Sequence, residues 1–181
     1  MKQPSDLELM LAVKDGDRTA FEQLYLRYRD RLYAFLVRYT GDPASAQDLF
    51  QETFLRVFRD RGKYEHRAAF STWLFTIARN LFLDSLKRAA TPGTFPEPET
   101  ATLSIPDPTP GPLETLQEQE AKAVLRRAVA SLPEEDRLIL LLSRFEGLRY
   151  GQIAEILGTS EGAVKVRAHR ALQALRRALM H

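Results

Sequence analysis

The stretch Leu148–Leu179, LRYGQIAEILGTSEGAVKVRAHRALQALRRAL, decides the fold of the second half of this chain. Apolar residues recur at helical spacing on both sides of a short break, which predicts two helices joined by a tight turn. Gly158 can adopt the left-handed conformation that ends the first helix, and Ser160 is a favourable N-cap for the second. The predicted buried stripe of the second helix comprises Val164, Ala168, Ala171, Leu172, Leu175 and Leu179.

The opposite face of the second helix combines small, aliphatic, polar and basic side chains. Gly162, Val166, His169, Arg170, Gln173 and Arg177 lie on this face, and Lys165 and Arg167 flank it. A narrow basic face of this kind fits the major groove of DNA, so the stretch is interpreted as a helix-turn-helix. The candidate DNA contacts are Ser160, Gly162, Ala163, Lys165, Val166, Arg167, His169, Arg170 and Gln173.

The charge of the chain is nearly balanced, but its distribution is uneven. The 181 residues suffice for one ordinary domain or two small ones, and their formal net charge is +2. Between Ala90 and Ala121 the charged residues are all acidic, whereas from Lys165 onward they are all basic. This asymmetry indicates separate electrostatic tasks within one chain.

Several classes of site and location are disfavoured by composition. The absence of cysteine excludes disulfides and cysteine-ligated zinc, and the scattered His66, His169 and His181 lack ligand spacing. Neither a catalytic triad nor a glycine-rich phosphate loop is evident, so we expect no enzymatic activity, no cofactor and no metal. The sequence also lacks a signal peptide and an apolar run long enough for a membrane span, which favours a cytoplasmic protein.

The first half predicts four helices separated by glycine and proline signals. Ser5–Glu8 has the spacing of a capping box, and Thr19–Glu22 repeats that pattern. Asp42 followed by Pro43 predicts another helix start. The predicted helices run from Ser5 to Val13, from Thr19 to Gly41, from Pro43 to Phe58 and from Ser71 to Ala89, with a loop over Arg61–Ala69.

The segment Thr91–Pro112 changes character because seven prolines forbid a continuous helix there. Helix is expected to resume near Leu113 and run to about Ser131, followed by a further helix from Leu132 to Gly147. We therefore predict an all-α fold with two small helical domains, 1–89 and 113–181. An acidic proline-rich linker, 90–112, joins them, and the second domain contains the helix-turn-helix.

Four segments together resemble one family: Thr19–Tyr28, Asp48–Phe58, Phe70–Arg88 and Leu132–Leu179. The motifs within them are DLFQETFLRVF (Asp48–Phe58), FSTWLFTIARNLFLDSLKR (Phe70–Arg88), SLPEEDRLILLLSRFEGLRYGQIAEILG (Ser131–Gly158) and GAVKVRAHRA (Gly162–Ala171). Their sequences and order resemble the bacterial extracytoplasmic-function sigma factors of the sigma-seventy family. Two positions depart from the family pattern: Arg149 stands where a Ser or Thr cap is frequent, and Val166 stands where a polar residue is frequent.

The resemblance implies that Asp48–Phe58 is the helix that binds core RNA polymerase. The residues themselves leave two interpretations open, since their apolar side chains span more than one side of a helix. Either some apolar surface remains for a partner, or the helix is central in a bundle and buried on two sides. The candidate polymerase contacts are Asp48, Leu49, Phe50, Gln51, Glu52, Phe54, Leu55 and Arg56.

The resemblance also implies that Phe70–Arg88 opens and reads the −10 promoter element, and that the loop Lys63–Phe70 forms a pocket for a flipped base. From the residues alone, a solvated helix face is the simpler interpretation of the polar side chains on this helix. The candidate −10 contacts are Lys63, Tyr64, His66, Arg67, Arg79, Asn80, Asp84, Lys87 and Arg88.

A member of this family is expected to give core polymerase its promoter specificity, one copy per holoenzyme, and to read the −35 element with its helix-turn-helix. We also expect an anti-sigma factor as a partner, and no insertion into a membrane. Two other classes remain open. A helix-turn-helix repressor or activator would dimerise on palindromic DNA, and a non-DNA regulator that sequesters polymerase or a sigma factor would direct no transcription.

Overall fold

The computed structural model describes residues 3–90 and 116–180, and the regular structure in these ranges is helical. The helices are α1 (Asp6–Lys14), α2 (Arg18–Thr40), α3 (Pro43–Arg59), α4 (Phe70–Ala89), α5 (Leu116–Ala130), α6 (Glu134–Arg144), α7 (Tyr150–Leu157) and α8 (Glu161–Leu179). A 3-10 turn covers Arg61–Lys63. The all-α prediction is confirmed. The predicted linker beyond Ala90 and the helix start near Leu113 lie outside the described residues.

The first helix begins at the predicted capping box. The Ser5 N–H donates to Glu8 Oε2 at 2.7 Å, and the Glu8 N–H donates to Ser5 Oγ at 3.3 Å. The Ser5 N–H and the Ser5 hydroxyl both donate to the Glu8 carboxylate, and they lower the pKa of Glu8 because they favour its ionised form. Two donors at the helix N-terminus are thereby satisfied.

The second predicted capping box, Thr19–Glu22, is wrong. Asp17 caps α2 instead, because its Oδ1 accepts from the N–H groups of Thr19 at 2.8 Å and Ala20 at 3.1 Å. The carboxylate of Asp17 stands just ahead of the helix and occupies the N-cap position that Thr19 was expected to hold. The helix therefore starts earlier, at Arg18.

Aromatic contacts join α2 to the helices packed against it. The Phe35 and Phe75 rings lie 4.9 Å apart, and the Tyr25 and Phe54 rings lie 4.8 Å apart, both near edge-to-face. Each such pair contributes about 0.5–1.5 kcal/mol beyond its burial. These contacts fix α3 and α4 on the long helix α2.

The described residues fall into two compact units, one of residues 3–36 and 44–90 and the other of residues 37–43 and 116–180. In the second unit, five consecutive residues of α6 are buried, Leu138 to Leu142. A helix that is apolar over such a run is covered on more than one side.

Over the two described ranges, none of the helices has both the length and the apolar character that a membrane span requires.

The predicted apolar stripe of α8 is largely confirmed. Val164, Ala168 and Ala171 are buried, and Leu172 and Leu175 pack against the core as partly buried residues. Leu179 is an exception, because it is 47% exposed at the last residue of the helix. The stripe therefore ends before Leu179.

Candidate nucleic-acid interfaces and partner surface

The turn between α7 and α8 has the expected geometry. Gly158 ends α7 with φ 66° and ψ 36°, the left-handed conformation that glycine adopts without steric cost. The Ser160 Oγ accepts from the Ala163 N–H at 3.2 Å and caps α8. Since the hydroxyl of Ser160 is used in this bond and Ala163 is half-buried, both residues support the turn itself.

Helix α7 begins without the Ser or Thr cap that is frequent in the family. Gln152 Oε1 accepts from the Arg149 N–H at 3.0 Å, which is the reciprocal half of a capping box. The guanidinium of Arg149 has no acceptor to offer in return. One orphan donor at the start of α7 is thus satisfied by the glutamine.

The predicted DNA face of α8 is exposed along its length. Gly162, Val166, His169, Arg170, Gln173 and Arg177 are all solvent-accessible, and Val166 is 51% exposed. His169 Nε2 lies 2.9 Å from Gln173 Nε2, so a hydrogen bond joins these two side chains on the exposed face. An exposed aliphatic residue beside basic and amide groups can contact a thymine methyl.

Both cations that flank this face are paired with carboxylates. Lys165 Nζ lies 2.7 Å from Glu161 Oε1, one turn earlier on α8. The Arg167 guanidinium forms an ion pair with Glu135 in the first turn of α6. The pairing of Glu135 with α8 could not be predicted from the sequence, since 32 residues separate Glu135 from Arg167.

In the first unit, α4 presents most of its predicted −10 residues to solvent. Asn80, Asp84, Lys87 and Arg88 are exposed, and Arg79 is half-buried. Arg88 Nε donates to the Asp84 carbonyl at 3.3 Å, and Lys87 Nζ lies 3.8 Å from Asp84 Oδ1. A basic and amide surface therefore runs along the C-terminal half of α4.

The loop before α4 is held together by Tyr64. This residue is only 2% exposed, and its hydroxyl donates to the Ala68 carbonyl at 2.9 Å. Its ring packs 5.3 Å from the Trp73 ring, and burial raises the pKa of its phenol. The Tyr64 ring therefore packs in the core beneath the loop, and the assignment of Tyr64 as a −10 contact stays a prediction.

An open depression of about 340 Å³ lies at this loop, lined by Lys14, Tyr64, Glu65, His66 and Arg67. Lys14 comes from the end of α1, and its Nζ donates to the Tyr64 carbonyl at 3.0 Å. The sequence carried no signal for this lysine, which is 50 residues from its partner.

Lys63, also predicted for the −10 contact, is engaged locally. Its Nζ donates to Asp60 Oδ1 at 3.1 Å, and this bond lowers the pKa of the Asp60 carboxyl. His66, Arg67 and Lys14 are the exposed basic residues that line the depression.

On α3, most of the predicted apolar contacts are turned inward. Leu49 and Phe54 are 8% and 5% exposed, and the Phe50 ring lies 6.0 Å from the rings of Tyr25 and Tyr33 on α2. Leu49 and Phe54 are therefore buried, as the buried-helix interpretation expects, and Phe50 is half-buried. Leu55 is the exception, with 63% exposure. The assignment of these residues as polymerase contacts stays a prediction.

The polar residues of α3 form the accessible surface. Asp48 and Gln51 are exposed, whereas Glu52 and Arg56 are half-buried and lie 3.9 Å apart. An open groove of about 1150 Å³ separates α3 from α4. The groove is lined by predicted polymerase contacts of α3 and predicted −10 contacts of α4. The former are Asp48, Glu52 and Arg56, and the latter are Asp84, Lys87 and Arg88.

Both halves of the chain match models of the sigma-70 family. The model for sigma-70 region 2 matches residues 24–91, and the model for sigma-70 region 4 matches residues 113–175. The RNA polymerase sigma-H factor of Pseudomonas aeruginosa is 32% identical, over 99% of this chain and 96% of that protein. The RNA polymerase sigma factor CarQ of Myxococcus xanthus is 36% identical, over 92% of each chain.

Among solved structures, the sigma factor RpoE in complex with the anti-sigma factor NepR from Bartonella quintana superposes with a TM-score of 0.72. The identity is 25%, over 88% of this chain and 96% of that one. A second structure, CnrH with the cytosolic domain of CnrY, has a TM-score of 0.71 at 23% identity, over 97% of each chain, and shows the shared fold.

The chain belongs to the sigma-70 family of transcription initiation factors, and within it to the extracytoplasmic-function sigma factors. It is an alternative sigma factor, which binds RNA polymerase and recognises promoter elements.

Proposed function

We propose that this sigma factor divides its work between two domains, residues 1–89 and 113–181, with 90–112 as a linker. The first domain docks on core polymerase and opens the −10 element, and the second reads the −35 duplex. One copy joins each holoenzyme in the cytoplasm, and the chemistry of RNA synthesis belongs to the polymerase. The observation that carries the proposal is the exposed face of α8, the second helix of the helix-turn-helix, whose N-terminus is capped by Ser160.

Recognition of the −35 element is assigned to α8. Arg170 and Gln173 face solvent opposite the buried stripe, where their side chains can reach base edges. Val166 supplies an apolar contact for a thymine methyl. Lys165 and Arg167 flank this face and are suited to phosphates, which fix position and carry no sequence information.

Opening of the −10 element is assigned to the loop before α4 and the polar surface of that helix. The depression is open, and Lys14, His66 and Arg67 outnumber its one acid, Glu65, which favours an extruded nucleotide. Extrusion costs a few kcal/mol of unstacking, and contacts in a pocket offset that cost. Asn80, Lys87 and Arg88 extend the basic and amide surface along α4.

Docking on polymerase is assigned to the exposed side of α3. Leu55 is the large apolar residue accessible there, and Asp48, Gln51, Glu52 and Arg56 surround it with polar groups. An anti-sigma partner is proposed because the structural relative RpoE was solved with the anti-sigma factor NepR. Such a partner would keep the factor inactive until it is released.

The −10 assignment is tested by changing the accessible part of the loop only. Glu65, His66 and Arg67 are replaced together by serine and glycine, while Tyr64 and Phe70 are kept because both are buried. Holoenzyme formation should be unchanged, and permanganate reactivity of −10 thymines should disappear because the extruded base has lost its site. Normal reactivity in the variant holoenzyme would refute the assignment.

A further inference from the structure

Two ion pairs on α8 engage cations that a DNA-binding helix would use to contact phosphates. Lys165 and Arg167 occupy the positions suited to phosphates, yet each contacts a carboxylate of the same unit. Over the ranges 3–90 and 116–180, by contrast, no carboxylate lies within ion-pair distance of Arg170. The pairing therefore involves the two phosphate-reading cations and leaves the base-reading arginine without a competing acid in these ranges.

Both carboxylates are held in place by the helices that carry them. Glu161 and Glu135 lie in the first turns of α8 and α6, where the helix dipole favours negative charge. Glu161 is further confined by α7, since a Cβ built at Gly151 would lie 3.3 Å from its Oε2. Glu135 and Glu161 therefore stay near Arg167 and Lys165 when no DNA is bound.

We propose that Glu135 and Glu161 compete with DNA phosphates for Arg167 and Lys165, and so weaken sequence-independent binding of this factor to duplex DNA. The inference rests on the proposed contact of α8 with DNA. To contact a phosphate, each cation must exchange a carboxylate for it, and that exchange cancels part of the gain from the contact. Non-specific affinity arises from such phosphate contacts, so it is the quantity that the acids lower most directly.

The expected magnitude follows from the exposure of the pairs. Exposed ion pairs of this type stabilise by amounts that correspond to a factor of about two to five in an equilibrium constant. Removing one acid should raise duplex affinity by about that factor. The gain should shrink as salt rises, because salt screens an exposed pair.

The test is a double-mutant cycle on the full chain with Glu135→Gln, Arg167→Gln and the combination of the two. The probe is a fluorescein-labelled 20-base-pair duplex of random sequence, titrated between about 50 and 200 mM salt and followed by anisotropy. Glu155→Gln serves as a matched control, because Glu155 is an exposed acid on α7 that pairs with no cation among the described residues. Circular dichroism verifies that every variant is folded at the titration temperature.

Glu135→Gln should tighten binding of the random duplex about two- to fivefold at the lowest salt, and should have no effect when Arg167 is already glutamine. Glu155→Gln should have the same effect in both backgrounds. An equal gain from Glu135→Gln in both backgrounds would show a general charge effect and overturn the proposal. Weaker binding by Glu135→Gln would overturn it too, since Glu135 would then position Arg167 for DNA.

The cycle also separates this inference from the proposed function. If Arg167→Gln weakens binding while Glu135→Gln leaves it unchanged, the competition is disproved and the DNA contact of α8 stands. If Arg167→Gln has no effect even in the Glu135→Gln background, both the competition and the phosphate contact by Arg167 are disproved.

Discussion

At the scale of single residues, Arg170 and Lys165 differ in what their positions on α8 allow. Arg170 is on the exposed face opposite Val164 and Ala168, whereas Lys165 flanks that face and pairs with Glu161. The first position suits a base edge and the second suits a phosphate. Substitutions at the two residues should therefore affect transcription in different ways.

Arg170→Ala should cost roughly 1–3 kcal/mol of promoter affinity and relax preference at one −35 position, because a base contact is lost. Lys165→Ala should lower the affinity for all promoters alike. It should also reduce the slope of log affinity against log salt concentration by about one. A library of −35 variants transcribed by each holoenzyme measures both effects. If Arg170→Ala lowers every promoter uniformly, its role is phosphate contact, and Val166 with Gln173 become the better base readers.

The turn of the helix-turn-helix provides a second residue-scale prediction. Gly158→Ala should destabilise the fold by about 1–2 kcal/mol, because an L side chain is strained at φ 66°. Gly162→Ala is the control: it lies within helix α8, and a Cβ there meets no atom within 4 Å. It should stabilise by roughly 0.4–1 kcal/mol through reduced entropy of the unfolded chain.

Urea unfolding followed by far-UV circular dichroism measures the change at each glycine. Loss of stability at Gly158 and gain at Gly162 support the assigned backbone conformations. Equal and small effects at both positions would contradict the left-handed turn.

Residue identity alone could not assign every local contact. The Ser5–Glu8 box formed as predicted, but the pattern at Thr19 did not exclude Asp17, which can also accept from the first N–H groups of α2. The contacts of Lys14 with Tyr64, and of Glu135 with Arg167, join residues far apart in sequence. Such contacts depend on how helices pack, which local patterns do not encode.

At the scale of the helix, α3 illustrates what periodicity can and cannot settle. Its apolar residues were correctly expected to exceed one buried stripe, but the pattern did not reveal which of them would be covered. The rings of Tyr25 and Tyr33 on α2 pack against Phe50, which is half-buried, and Leu49 and Phe54 are buried. What remains accessible is Leu55 with its polar neighbours.

Leu55→Asp should therefore weaken core polymerase binding at least tenfold, because a charge replaces an exposed apolar contact that the polymerase would bury. Leu11→Asp is the matched control, since Leu11 is an exposed leucine on α1 of the same unit. Fluorescence titration of labelled protein with core enzyme measures the affinity, and circular dichroism checks that helicity is kept. Equal weakening by both variants would argue against a specific surface on α3.

At the scale of the whole molecule, the order of segments carried more information than any single motif. The all-α class and the two sigma regions were predictable because helix signals, the run of prolines and the basic final helix occur in a defined order. The uneven charge was also visible in the sequence. The internal pairing of the basic residues was not, since it requires α6 to lie beside α8.

We expect this chain to give core polymerase its promoter specificity. Run-off transcription with purified core polymerase, the chain and a fragmented bacterial genome tests it most directly. We predict discrete transcripts that appear only when the chain is present, that start downstream of shared −35 and −10 sequences, and that saturate at one copy per polymerase. Transcripts that do not change on addition of the chain would contradict the account, as would DNA binding by a dimer of the chain to palindromic sites without polymerase.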